Sequence, residues 1–229
     1  MDGQIQPIST HRLSAPLQNW CIGLVIATAG IIVCYFWLDQ PLALFLHRNV
    51  PDKTVFVWLL QLPVAFPLLS SLILAWCGLW TLMDRSFSRV QSVALTCSIS
   101  FIATGLINSQ LKYAFGRTWP NTWIENNPSL IQNSAFGFNP FHGGPGFASF
   151  PSGHAAAICS VMAVLWWSYP RWRPIYVACV AVVAVGLIGA NYHFLSDILS
   201  GMFVGTSVGY ITTKMSCSPN SRMDFPHGR

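Results

Sequence analysis

The 229-residue chain is 53% hydrophobic and only 8% charged, and it carries ten tryptophans. A soluble domain carries roughly 25% charged residues, so this composition excludes a soluble globular protein and points to the membrane. The net charge of +5 is modest and scattered, and without a basic run no nucleic acid partner is expected.

Residues 1–19 are polar, include Pro7 and Pro16, and read as a short arm. The first apolar run, 20–38, is long enough to span a bilayer at about 1.5 Å per residue. It is too long for a signal-peptide core and is expected to stay as a permanent span. Residues 39–61 mix short apolar pieces with Pro41, His47, Arg48, Pro51, Asp52 and Lys53, and are expected to lie in the interface. Further spans are expected at 62–83, 90–108, 152–167, 175–192 and 196–213. The stretch 109–149, rich in Asn, Gly, Pro and aromatic residues, is the one long polar loop. The seven cysteines show no paired spacing, and all but Cys217 lie in apolar segments. They read as small buried hydrophobes, not as disulfides or a zinc site.

The expected fold is therefore all-α: a polytopic membrane protein with six transmembrane helices over 20–213 and a long outward loop between the third and fourth. Six spans put both termini on one side. Alternating the loops gives that side Arg12, Arg85, Arg89, Arg171, Arg173, Lys214, Arg222 and Arg229, and the other Arg48, Lys53, Lys112 and Arg117. This bias makes the arm 1–19 and the tail 214–229 cytoplasmic and turns the long loop outward. Gly201, Gly205 and Gly209 recur every fourth residue, a spacing suited to close helix packing.

Two stretches carry chemistry. Pro151-Ser152-Gly153-His154 runs straight into an apolar segment, so it reads as a first helical turn. Ser152 and Gly153 would leave N–H groups open to an anion at the positive end of the helix dipole, with His154 beside them to give or take a proton. His193 and Asp197 are four apart and share a face if the helix continues between them. The carboxylate would then fix one imidazole nitrogen and free the other as a nucleophile. The same pair would also serve as a buried polar junction between helices. Helix lengths bring His154 and His193 to one level, and Lys112 and Arg117 leave the third span toward it.

In order and spacing these residues resemble the type-2 phosphatidic acid phosphatases, integral membrane enzymes with three sequence blocks. The second block is complete as Pro151-Ser152-Gly153-His154. The third keeps His193 and Asp197, and the first keeps Lys112 and Pro120 in register. The resemblance implies a phosphatase that hydrolyses a lipid phosphate or polyprenyl diphosphate at the outer face of a bacterial inner membrane. His193 would form a phosphohistidine, Asp197 would orient and stabilise it, and His154 would protonate the leaving oxygen and then activate water. Lys112, Arg117, Ser152 and Gly153 would hold the phosphoryl oxygens. No metal or other cofactor is expected, since no acidic cluster of the magnesium-binding kind is present. Polyprenyl diphosphate, phosphatidic acid, phosphatidylglycerol phosphate and the lipid A phosphates all remain open as the membrane lipid substrate. A lipid-to-lipid phosphotransferase or a catalytically weak lipid-binding protein are the alternatives. Two cations of the family pattern are absent: Trp119 stands where the first block has Arg, and Leu187 where the third does. Arg117 is expected to replace one of them, with Arg48, Lys53 and His142 as candidates for the other.

Overall fold

The computed structural model describes residues 15–123 and 126–216. Most of the expected arm and tail, with Cys217, Arg12, Arg222 and Arg229, lies outside the described residues. All regular structure among the described residues is helical, with no strand. In chain order the helices are α1 (Ala15–Val33), α2 (Asp39–Asn49), α3 (Thr54–Leu59), α4 (Gln61–Val64), α5 (Phe66–Leu82), α6 (Arg89–Phe115), α7 (Leu130–Asn133), α8 (Gly153–Ser168), α9 (Arg173–Gly189) and α10 (Leu195–Ser216).

Local chemistry sets these boundaries. Ser88 and Gln91 form a reciprocal capping box that starts α6. Gly116 ends it in a left-handed conformation at φ 57°, its N–H bonded to Lys112 O at 2.8 Å. A Cβ there would fall 1.8 Å from Asn139 O, so only glycine fits. Pro67 sits in the first turn of α5, just past a break at Ala65.

The first helix departs from expectation. α1 runs through a π-helical turn, Cys34–Leu38, straight into α2. The turn ends shortly before Pro41, whose ring nitrogen has no hydrogen to donate, and a local change of pitch accommodates it. Residues 39–49 thus extend the first helix instead of lying in the interface, and Asp39 is only 1% exposed. The third long helix likewise continues beyond 108 to Phe115, which places Lys112 on a helix.

Among the described residues, four helical stretches are long and apolar enough to cross a membrane: Leu17–Asn49, Gln61–Leu82, Arg89–Phe115 and Pro170–Gly189. Gly153–Ser168 is apolar but shorter. The outer surface of the bundle is apolar, unlike that of a soluble protein. Val25, Ile26, Leu68, Leu72, Leu82 and Val177 point outward, whereas Ser98, Ser100, Thr104 and Asn108 of α6 are buried. Ser100 Oγ donates to Ser160 O on α8 at 3.3 Å, an interhelical bond of the kind that holds helices in lipid.

α8 and α10 form the central pair, with α6 and α9 against α8, and α1 against α10. The glycine spacing read from the sequence makes this contact. A Cβ at Gly201, Gly205 or Gly209 would lie 2.4, 2.2 or 2.5 Å from the carbonyl oxygens of Ser152, Ala156 and Ser160. The two backbones therefore touch, and the start of α8 is held against the start of α10.

Candidate active site

Ser152 is the N-cap of α8, with its Oγ accepting from Ala155 N at 3.5 Å. Its own N–H donates to Asp197 O at 3.0 Å. The Ser152 N–H, expected to stay open to an anion, is thus engaged within the fold, and Ser152 is fully buried. Gly153, one residue on, does face a cavity, as does His154.

His193 lies in the turn between α9 and α10, not on a helix shared with Asp197. The turn is fixed by Asn191, at φ 56°, whose Nδ2 donates to Ala43 O at 3.0 Å. Phe194 N donates to Asp197 Oδ2 at 3.0 Å and ties the turn to the first turn of α10. The pair still meets: His193 Nδ1 is 3.5 Å from Asp197 Oδ2. Ser149 stands between them, donating to Asp197 Oδ2 at 2.6 Å and lying 3.5 Å from His193 Nδ1. With Nδ1 on this side, Nε2 is the nitrogen left for chemistry. Burial pushes the His193 imidazole below its ordinary pKa, while Asp197 pulls it back up and Lys112 pushes it down.

The cavity measures about 460 Å³ and gathers Lys112, Gly153, His154 and His193 against an aromatic wall of Trp119, Trp123 and Tyr192. Pro63, Val64, Pro67 and Ala157 complete the lining. Lys112 Nζ lies 3.8 Å from where a Gly153 Cβ would stand, and 5.9 Å over the Trp119 ring. The level that helix lengths assign to His154 and His193 is thus one cavity in space.

Arg117 is not part of this lining. It is fully buried, and Nη2 donates to Asp39 Oδ2 at 2.7 Å. Nη1 donates to Asp197 Oδ1 and to Ser196 Oγ. The rings of Tyr35, Phe136, Phe138 and Phe194 surround the guanidinium, the nearest 4.4 Å away. The phosphate-facing role expected for Arg117 does not match this position, because the two carboxylates already engage both terminal nitrogens. Nor do the other candidates supply the missing cations. Arg48, Lys53 and His142 do not line the cavity, and His142 packs on Phe147 with centroids 4.1 Å apart. Leu187 is fully buried in the apolar cluster with Leu60, Ile158, Val183 and Ile198. Trp119 occupies its site as a buried ring, Nε1 donating to Pro145 O at 2.8 Å.

Asp39, Ser149, Ser196, Trp123 and Tyr192 were not singled out from the sequence. For Asp39 a signal existed: a carboxylate following an apolar run with no helix-ending residue between them. Ser196 lies in the first turn of α10 and the others in loops or turns, and their side chains acquire direction only from the fold.

The family model described as the PAP2 superfamily matches residues 93–218. A lipid A 1-phosphatase of Rhizobium etli is 30% identical over 131 residues, covering 55% of this chain and 53% of the relative. A second lipid A 1-phosphatase, from Rhizobium johnstonii, is 29% identical over 111 residues, or 48% of this chain and 43% of the relative. An undecaprenyl-diphosphatase of Sulfolobus acidocaldarius is 22% identical over 130 residues, or 56% of this chain and 58% of the relative. The chain thus spans about half the length of the curated relatives it matches. No solved structure matches it significantly.

Proposed function

Because the chain belongs to the PAP2 superfamily, we propose that it is a membrane lipid phosphatase that hydrolyses a lipid phosphate or polyprenyl diphosphate through a phosphohistidine on His193. The observation that carries this reading is the meeting of Lys112, Gly153, His154 and His193 in one cavity, with Asp197 behind the imidazole. The names of the relatives, lipid A 1-phosphatase and undecaprenyl-diphosphatase, support a phosphate or diphosphate on a large lipid.

In this mechanism His193 Nε2 attacks phosphorus while His154 gives a proton to the leaving oxygen. Asp197 stabilises the positive charge that develops on the ring. His154, now neutral, takes a proton from water, which attacks the phosphohistidine and releases phosphate. Lys112 and the N–H groups at the start of α8 meet the charge on the phosphoryl oxygens. Among the described residues, Lys112 is the one Lys or Arg in the cavity lining, so the phosphate clamp is leaner than the family pattern. The reading also holds that α8 and α10 complete a six-span bundle with both termini cytoplasmic and the site open to the outer face. The charge asymmetry of the loops supports this orientation.

The test is phosphate release by the purified chain in detergent from a panel of lipid phosphates, with His193→Ala as control. Stoichiometric phosphate and an acid-labile phosphoenzyme lost in His193→Ala are expected. Near-wild-type turnover by His193→Ala removes the nucleophile assignment. Transfer of the phosphoryl group to a second lipid without free phosphate makes the chain a phosphotransferase. A reporter fused after Gly144 that proved cytoplasmic would reverse the topology.

A further inference from the structure

Asp39 lies outside residues 93–218, the part of the chain that matches the family, yet its carboxylate reaches the site. Three groups converge on it. Oδ1 accepts from Ser196 N at 3.0 Å, and Oδ2 accepts from Arg117 Nη2 at 2.7 Å and from Ser196 Oγ. Ser196 N is in the first turn of α10, where a carboxylate is favoured by unpaired N–H groups and by the helix dipole. The next residue is Asp197. Asp39 therefore holds both things that hold Asp197 Oδ1 in place: the guanidinium that donates to it and the helix turn that carries it. The side chain is delivered by the π-helical turn Cys34–Leu38 immediately before it, a local change of pitch often found at functional sites.

The charges add a second argument. Asp39 and Asp197 flank a single guanidinium, so the buried trio keeps one net negative charge beside His193. Without Asp39, Arg117 would pair with Asp197 alone and neutralise it, leaving less to stabilise a positive or phosphorylated imidazole.

We infer that Asp39 is a positioning residue for the phosphohistidine chemistry: by holding Arg117 and the first turn of α10, it sets the orientation and the effective charge of Asp197 behind His193. This rests on the reading of His193 as nucleophile. A simple staple between the first helix and α10 would use the same hydrogen bonds, but it would not change the basicity of His193.

The experiment uses the full-length chain in detergent, with size-exclusion elution to count folded protein. Two quantities are read for wild type, Asp39→Asn and Asp39→Asn/Arg117→Gln. One is the kcat and KM for a lipid phosphate that the wild type hydrolyses. The other is the pH dependence of His193 acylation by diethyl pyrocarbonate, followed by mass spectrometry, which needs no turnover. The charged and titratable groups facing His193 are Asp197 on α10, Lys112 on α6 and His154 on α8, and none of them is altered. Asp39→Asn is expected to lower kcat by about 10-fold or more with KM within about 2-fold, the pattern of a lost transition-state interaction. The acylation midpoint should move to lower pH, since a neutralised Asp197 stabilises the imidazolium less. The double variant removes one charge of each sign, so its midpoint should return toward wild type while kcat stays low. An Asp39→Asn protein with unchanged kcat per folded molecule and an unchanged midpoint overturns the inference. Should Asp39→Asn not fold, the double variant is compared with Arg117→Gln: a lower acylation midpoint in the double variant shows the Asp39 charge acting on His193 and supports the inference, and equal midpoints overturn it. Failure of the wild type to hydrolyse any lipid phosphate removes the proposed activity, while the acylation midpoint still tests the coupling.

Discussion

Trp119 and His193 meet ring against ring, their centroids 5.1 Å apart and their planes inclined by 45°. The position that carries a phosphate-binding cation in the family pattern is here a wall of the cavity. Trp119 touches Trp123 edge to face at 4.9 Å, and Trp123 stacks on Tyr192 at 6.0 Å. The wall packs against the imidazole on one side of the cavity.

Trp119→Phe keeps one aromatic ring but loses the Nε1–H bond to Pro145 O and part of the buried indole volume, so turnover is expected to stay within about 10-fold of wild type, with the lost bond worth about 1 kcal/mol. Trp119→Ala empties a buried site. It should lower the unfolding free energy by about 3–5 kcal/mol and reduce kcat more than it raises KM. Thermal unfolding and steady-state kinetics in one detergent check both. Equal turnover by the Ala and Phe variants would deny the ring any part in holding His193.

Arg117 is expected to act through the carboxylates. Arg117→Met leaves Asp39 and Asp197 facing each other without a cation. Breaking a buried pair in this way costs about 3–5 kcal/mol, so the unfolding midpoint and the turnover should fall together. Arg117→Lys should rescue little, because one ammonium cannot reproduce the fork that spans two acidic groups. An Arg117→Met protein that unfolds at the wild-type temperature would show that the trio is dispensable.

Of the three α10 glycines packed on α8, Gly205 has the least room, 2.2 Å from a built Cβ to Ala156 O. Gly205→Val should push the helices apart, shift Asp197 away from Ser152, and abolish both activity and cooperative unfolding. Gly78 on α5 has no atom within 4 Å of a built Cβ. Gly78→Ala is therefore expected to be neutral or stabilising by up to about 1 kcal/mol, the difference in helix propensity. If both variants unfold alike, the backbone contact is not what orders this bundle.

No group of three or more His, Cys, Asp or Glu able to hold a metal ion forms among the described residues. In the proposed mechanism Lys112 and the start of α8 take the electrostatic role that a divalent ion plays elsewhere. Phosphate release should be unchanged in excess EDTA and unaffected by added magnesium. Loss of activity on chelation, restored by a metal, would show that this electrostatic assignment is incomplete.

What the sequence determined by itself was everything that depends on local pattern. The low charge and long apolar runs required a membrane protein built of helices, because continuous apolar runs of that length cross a bilayer with their backbone groups paired within the segment. Pro151-Ser152-Gly153 started α8, and Gly201, Gly205 and Gly209 packed α10, since capping and backbone approach are properties of a few adjacent or regularly spaced residues. Matching helix lengths brought His154 and His193 to one cavity. The tertiary structure alone decided where the charges went. Asp39 and Arg117 are 78 residues apart, and each read alone is a carboxylate at a span end and a cation on a loop. Burial makes each require the other, and once they pair with Asp197, Arg117 is committed to holding carboxylates and Lys112 is left to face the cavity. The direction in which a buried ion points is set by its nearest opposite charge, and sequence spacing does not contain that distance.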